Sequence, residues 1–123
     1  MQENTAIVRD VMVMDKDGTI KTSKVDRVIV DMEGFAGDRH SGLTMRSGSK
    51  QKRFYEKGTT IRNTRQVSII SVEDMAVVAN NLDVPHVDAS WLGSNLLIEG
   101  IEEVSQLPRG TRLLFSSGAA LVV

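Results

Sequence analysis

The first apolar stretch of the chain, residues 5–14 (TAIVRDVMVM), is dense in β-branched and methionine side chains and suits a strand. Asp15-Lys16-Asp17-Gly18 follows as a turn signal and Thr19-Ile20-Lys21-Thr22 as a return, so this region predicts a hairpin. Over residues 25–32, Val28, Val30 and Met32 alternate with Arg27 and Asp31, the pattern of a strand with one buried face, and Gly34 and Gly37 end it. Periodicity then fades among scattered glycines, which predicts a long loop over about 38–65. A short strand is expected at 66–71, with Ser71 capping a helix whose first turn holds Glu73 and Asp74, where acids favour the positive helix end. Val72, Met75, Ala76, Ala79 and Leu82 recur at helical spacing and describe one buried stripe. Beyond Pro85, short strands are expected at 95–99, 111–116 and 119–123, set apart by Gly93, Gly100, Gly110 and Gly118. Many short strands with regular glycine turns predict a mainly β architecture, a closed or partly open barrel or a sandwich, with one or two peripheral helices.

Length and composition narrow this picture. At 123 residues, with 41% hydrophobic and 25% charged positions, the chain reads as one domain over 1–123 with ordinary globular usage. No apolar run approaches the roughly 20 residues that cross a bilayer, so no membrane association is expected. The opening MQENTAIVRD has neither a basic region leading into an apolar one nor Arg-rich transit character, which predicts a cytoplasmic location. The absence of cysteine excludes disulfides, thiolate metal ligation and persulfide carriage by these residues. With His40 and His86 as its two histidines, the chain is not expected to build a structural zinc site.

The net charge of −1 hides a separation: residues 39–65 hold eight Lys or Arg against the single acid Glu56, and the remainder of the chain is acidic. Such a potential steers an anionic ligand more than it specifies a fold, although a solvated loop would show the same composition. The densest polar cluster is Gly37-Asp38-Arg39-His40-Ser41-Gly42, where glycines let backbone N–H groups approach an anion and arginine offers a planar fork for phosphate or carboxylate. A polar turn capped by Asp38 is the competing reading. Asn63-Thr64-Arg65-Gln66 forms a second cluster at the start of a strand, where Arg65 could close on the same anion as Arg39 or pair with an acid such as Glu73. In the third, Trp91-Leu92-Gly93-Ser94-Asn95, the tryptophan reads as a core plug. Phe54 and Tyr55 lie among Arg46, Lys50, Lys52, Arg53 and Lys57 and could stack on bases, but two adjacent aromatics are a thin platform and the rest of the chain is acidic, so nucleic acid is not the favoured partner.

Taken in order, Gly37-Asp38-Arg39-His40-x-Gly42, Arg65-Gln66-Val67-Ser68 with Glu73 beyond, Leu92-Gly93-Ser94-Asn95-Leu96 and Leu107-Pro108-x-Gly110 leading to Leu113 resemble the MOSC family, named after the C-terminal part of molybdenum cofactor sulfurases. The resemblance spans about residues 25–123. It implies a barrel similar to the one inserted in pyruvate kinase, and a pocket for a molybdopterin-type cofactor at the barrel mouth. The matching cofactor-binding positions are Asp38, Arg39, His40, Arg65, Gln66, Ser94 and Asn95. The family is tied to sulfur carriage for metal–sulfur cluster assembly and to molybdenum-dependent reduction of N-hydroxylated compounds. Its association with pyridoxal phosphate belongs to the fused sulfurase domain, and no lysine here is a convincing Schiff-base candidate. A stretch like 118–123 continues in the family toward a cysteine that carries sulfur or ligates molybdenum, and these residues hold no such thiol. Carboxylate and imidazole do not replace a thiolate as a soft ligand.

Three functions follow as expectations. The first is a MOSC-like domain that binds a molybdopterin-type cofactor or a similar phosphate-bearing anion without catalysing a reaction by itself. The second is a component of a sulfur-transfer or reductase system whose cysteine comes from a further C-terminal segment or a partner protein. Nucleic-acid binding through residues 46–65 is the third. A homodimer is an open alternative to a catalytic partner.

Overall fold

The computed structural model describes residues 5–16 and 18–123; the first four residues of the N-terminal segment, and Asp17 of the expected turn, lie outside the described residues. Among the described residues ten strands and one α-helix follow one another, with short 3-10 turns at Ser49–Gln51, Ala89–Leu92 and Val104–Gln106. The principal sheet has four strands: β1 (Ile7–Val13), β2 (Ser23–Val25), β7 (Ile69–Ser71) and β8 (Leu96–Glu99), in the spatial order β2-β1-β8-β7. β1 runs antiparallel to β2 and β8, whereas β7 runs parallel to β8. That parallel pair needs a crossover, and α1 (Val72–Asn81) supplies it directly after β7.

Three two-stranded antiparallel ladders complete the β structure: β3 (Val30–Asp31) with β4 (Gly34–Phe35), β5 (Thr44–Arg46) with β6 (Thr60–Arg62), and β9 (Arg112–Leu114) with β10 (Ala120–Val122). The described strands therefore hydrogen-bond as four separate ladders and do not form one continuous closed barrel. Three of the four nevertheless converge on one core. Phe35, Leu96, Ile98 and Val104 form its buried centre, against which Val11, Val30, Ile69, Phe115 and Leu121 pack.

The predicted hairpin exists, but its return strand is Ser23–Val25, paired Val11 to Val25, and not residues 19–22. Thr22 is drawn elsewhere: its N–H donates to the Ser90 carbonyl at 3.0 Å and its hydroxyl to the Ser94 carbonyl at 2.8 Å. The strand expected over 25–32 shrinks to Val30–Asp31 because the chain reverses at once. The Asp31 carboxylate accepts the Glu33 N–H at 2.8 Å, Gly34 opens the return strand, and Met32 stands exposed at the tip. The expected loop over 38–65 contains the β5–β6 ladder, whose single inward pair, Met45 against Ile61, is too brief to register as periodicity.

Ser71 caps α1 as predicted, its hydroxyl accepting the Asp74 N–H at 3.1 Å. Of the expected helix stripe, Met75 and Ala79 are buried, whereas Leu82 at the C-cap is exposed and Ala76 is accessible. The strand expected over 66–71 begins only at Ile69, since the Gln66 side chain is engaged with neighbouring loops. Trp91 is no core plug. It lies half exposed on the Ala89–Leu92 turn, edge-on to His86 with ring centroids 6.1 Å apart.

Candidate functional site

The Gly37–Gly42 segment leaves β4 and passes beside the end of β1. Gly37 has φ +83°, a backbone state that a side chain strains, and the turn aims the Asp38 carboxylate into the interior. Asp38 is fully buried and used on both oxygens. Its Oδ1 accepts the Met14 N–H at 2.6 Å and the Asn95 side-chain amide at 2.8 Å, and its Oδ2 accepts the His40 N–H at 2.9 Å. Asn95 completes the network: its amide also donates to the Met12 carbonyl at 3.1 Å, and its own oxygen accepts the Ser68 N–H at 3.1 Å. These two residues thus join the ends of β1, the approach to β7 and the start of β8. They do not face solvent.

Ser94 is also buried and contributes its carbonyl to Thr22. Gln66 donates from one amide to the Met32 carbonyl and to the Gly42 carbonyl, each at 2.9 Å. The structure accordingly divides the predicted set. Asp38, Gln66, Ser94 and Asn95 brace the loops, while Arg39, His40 and Arg65 line one open cleft of about 270 Å³ together with Ser41, Thr44, Met45 and Asn63.

Each cleft residue is held differently. Arg39 is anchored at both ends. Its N–H donates to the Met14 carbonyl at 2.9 Å, its Nε to the Asp15 carbonyl at 2.9 Å, and its Nη2 to the Gly18 carbonyl at 2.6 Å, which leaves Nη1 without a hydrogen-bond partner among the described residues. The His40 imidazole is partly exposed, its Nδ1 standing 3.6 Å from the Asp38 carboxylate. Arg65 is exposed and makes no ion pair among the described residues; Glu73, its alternative partner, instead accepts the Gly100 N–H at 2.6 Å. The exposed guanidinium fork of Arg65, the remaining Nη1 of Arg39 and an imidazole on one concave surface, with hydroxyls beside them, are a donor set that phosphate and carboxylate groups take.

Asn63 is the positioning residue that sequence reasoning left out of the candidate set. Its buried amide donates to the His40 carbonyl at 2.7 Å and the Gly42 carbonyl at 3.0 Å, and its oxygen accepts the Arg65 N–H at 3.0 Å. It therefore ties the two separated motif pieces together and sets Arg65 beside His40. Its place two residues before Arg65 was the available signal. For Thr44 and Met45, which line the cleft from β5, the sequence carried no signal.

The MOSC domain profile matches residues 37–123, which run from the first motif glycine through both cleft segments to β10. The chain belongs to the MOSC domain family. Among its MOSC relatives is YuaD of Bacillus subtilis (strain 168), provisionally described as a metal–sulfur cluster biosynthesis protein, which is 39% identical over 101 residues. That match covers 82% of this chain and 52% of YuaD, so the chain spans about half the length of its curated MOSC relative. The crystal structure of the YuaD protein superposes with a TM-score of 0.88 at 32% identity, covering 99% of this chain and 66% of the other. Among the described residues no helix is long and apolar enough to cross a membrane, and no three His, Cys, Asp or Glu side chains gather as a metal site.

Proposed function

We propose that the cleft between Arg39, His40 and Arg65 holds the phosphate or carboxylate end of a small ligand, and that the ligand is the molybdopterin-type cofactor implied by the MOSC resemblance. One observation carries the reading: the two arginines, 26 positions apart in sequence, line the same concave surface together with His40. The cleft volume of about 270 Å³ falls just below that of small-molecule sites, which run from about 300 to 1,000 Å³. That suits an anionic end group better than an entire tricyclic pterin. The residues present thus fit the phosphate of such a cofactor and offer its metal nothing, because the chain has no thiol and the described residues gather no other ligand cluster. In this reading the three ladders around the common core, with the β5–β6 ladder beside them, are the staves of a partly open barrel, with the cleft at its mouth.

The domain then binds and presents, and does not itself carry out a covalent step. A second reading is favoured by the description of YuaD in metal–sulfur cluster biosynthesis. In it, the same domain is the ligand-holding half of a sulfur-transfer system and the thiol is supplied from outside these 123 residues. Mass spectrometry of protein purified under reducing, anaerobic conditions tests the cofactor assignment. A co-purified pterin that disappears in Arg65→Ala supports it. Protein that carries no pterin, but binds inorganic phosphate through Arg65, would keep the cleft and remove the pterin.

A further inference from the structure

We infer that the β5–β6 hairpin is a docking arm for a second copy of this chain, seated on the acidic corner where β8 turns toward the Val104–Gln106 turn. The inference is independent of the ligand reading of the cleft. The strand alternation sorts the arm's residues: Met45 and Ile61 face inward as a cross-strand pair, while Arg46 and Arg62 lie on the exposed face. Over residues 44–62 there are six cations, Arg46, Lys50, Lys52, Arg53, Lys57 and Arg62, against one acid, Glu56. None of the six makes an ion pair among the described residues, where the ion pairs belong to Arg9, Lys24, His40 and His86.

At the tip, Phe54 is 77% and Tyr55 48% exposed, with the Arg53 guanidinium 5.8 Å from the Phe54 ring centre. A phenylalanine this accessible contributes nothing to the core. Aromatics and arginine are the side chains that protein interfaces enrich.

The rest of the molecule offers a surface of opposite sign with exposed aliphatic side chains at its edge. Glu73 and Asp74 at the start of α1 accept backbone N–H groups of Gly100, Glu103 and Val104, so these acids are brought together with Glu102 and Glu103. Glu99 lies alongside, paired across the strands with Ile7 and by its side chain with Arg9. Ile7 and Val8, which flank this corner on β1, are 54% and 41% exposed. Positive charge meets negative and an exposed aromatic tip meets exposed aliphatic side chains, so the arm and the corner match in both respects. A two-fold axis would place each arm on the partner's corner, giving two equivalent contacts and a closed dimer. The chain as a whole is nearly neutral at −1, so little net repulsion opposes the association.

The test is molar mass in solution, measured by sedimentation velocity from about 0.1 M to about 1 M salt, over which the Debye length falls from about 10 to about 3 Å. The expected result is a dimer at low salt that becomes monomeric at high salt. Lys52→Glu with Arg53→Glu should give a monomer throughout, as should Glu102→Lys with Glu103→Lys. Combining all four substitutions should restore the dimer, because the charges are exchanged and the complementarity is kept. A wild-type monomer at low salt overturns the proposal, as does a dimer that ignores both salt and substitution. If a single-stranded oligothymidylate binds the monomer and is lost in the Lys52→Glu, Arg53→Glu variant, the arm belongs to nucleic acid and the proposal fails.

Discussion

Asp38 is a buried carboxylate whose acceptor positions are taken by two backbone N–H groups and the Asn95 amide, so its contribution is to the shape of the motif loop. Removing it strands those donors in the interior. We therefore expect Asp38→Ala to destabilise the domain by about 3 kcal/mol or more, measured by urea unfolding; a loss under about 1 kcal/mol would mean the network is not needed. Gly93 is constrained by the space around it. Its φ is +72°, and a Cβ there would stand 2.8 Å from the Ile20 carbonyl oxygen, so Gly93→Ala should lower the melting temperature although the residue binds nothing. Unchanged melting would place Gly93 among freely variable turn residues. The identities of these positions were legible in sequence, but their roles were not. Whether a polar residue faces a cleft or a core depends on partners such as Asn95, 57 positions from Asp38, and no local pattern encodes a contact at that separation.

At the scale of elements, α1 does more than cover the sheet. Ser71 caps it, while Glu73 and Asp74 hold the turn that follows β8, so one helix end organises two connections. Ser71→Ala should cost about 1 kcal/mol, the usual cost of a lost cap, read by chemical denaturation with unchanged cooperativity. Burial pushes the Asp74 carboxyl up, but the Glu103 N–H, the Ser71 hydroxyl and the Val104 N–H together outweigh it and hold the group below its ordinary 3.8. Because the folded value is the depressed one, this stabilisation is fully present above 3.8 and is lost as pH falls through the folded value. Asp74→Asn should flatten acid unfolding in that window, and a variant with the wild-type acid limb would contradict the assignment. The helix, its cap and the last three strands could be read from sequence because each rests on local chemistry. The β3–β4 and β5–β6 ladders could not, since two- and three-residue strands offer at most one inward pair to reveal a period.

For the molecule as a whole, three ladders share a core while the fourth carries the positive charge and contributes Thr44 and Met45 to the cleft. Family motifs and cleft residues therefore coincide only in part. The MOSC pattern and the cleft share the 37–42 and 63–66 segments: Arg39, His40 and Arg65 line the cleft, Asp38, Asn63, Gln66 and Asn95 brace the loops around it, and anion contact by the first three is the proposed reading. This division is the central claim, and calorimetric titration with inorganic phosphate tests it most directly. The wild-type chain should bind phosphate with an affinity that weakens as salt rises. Arg65→Ala should bind at least about tenfold more weakly at unchanged melting temperature, the loss of one charge-assisted contact, and Arg112→Ala on β9 should match the wild type. Equal phosphate affinity in the Arg65 and Arg112 variants, or no binding by the wild type, would contradict the account.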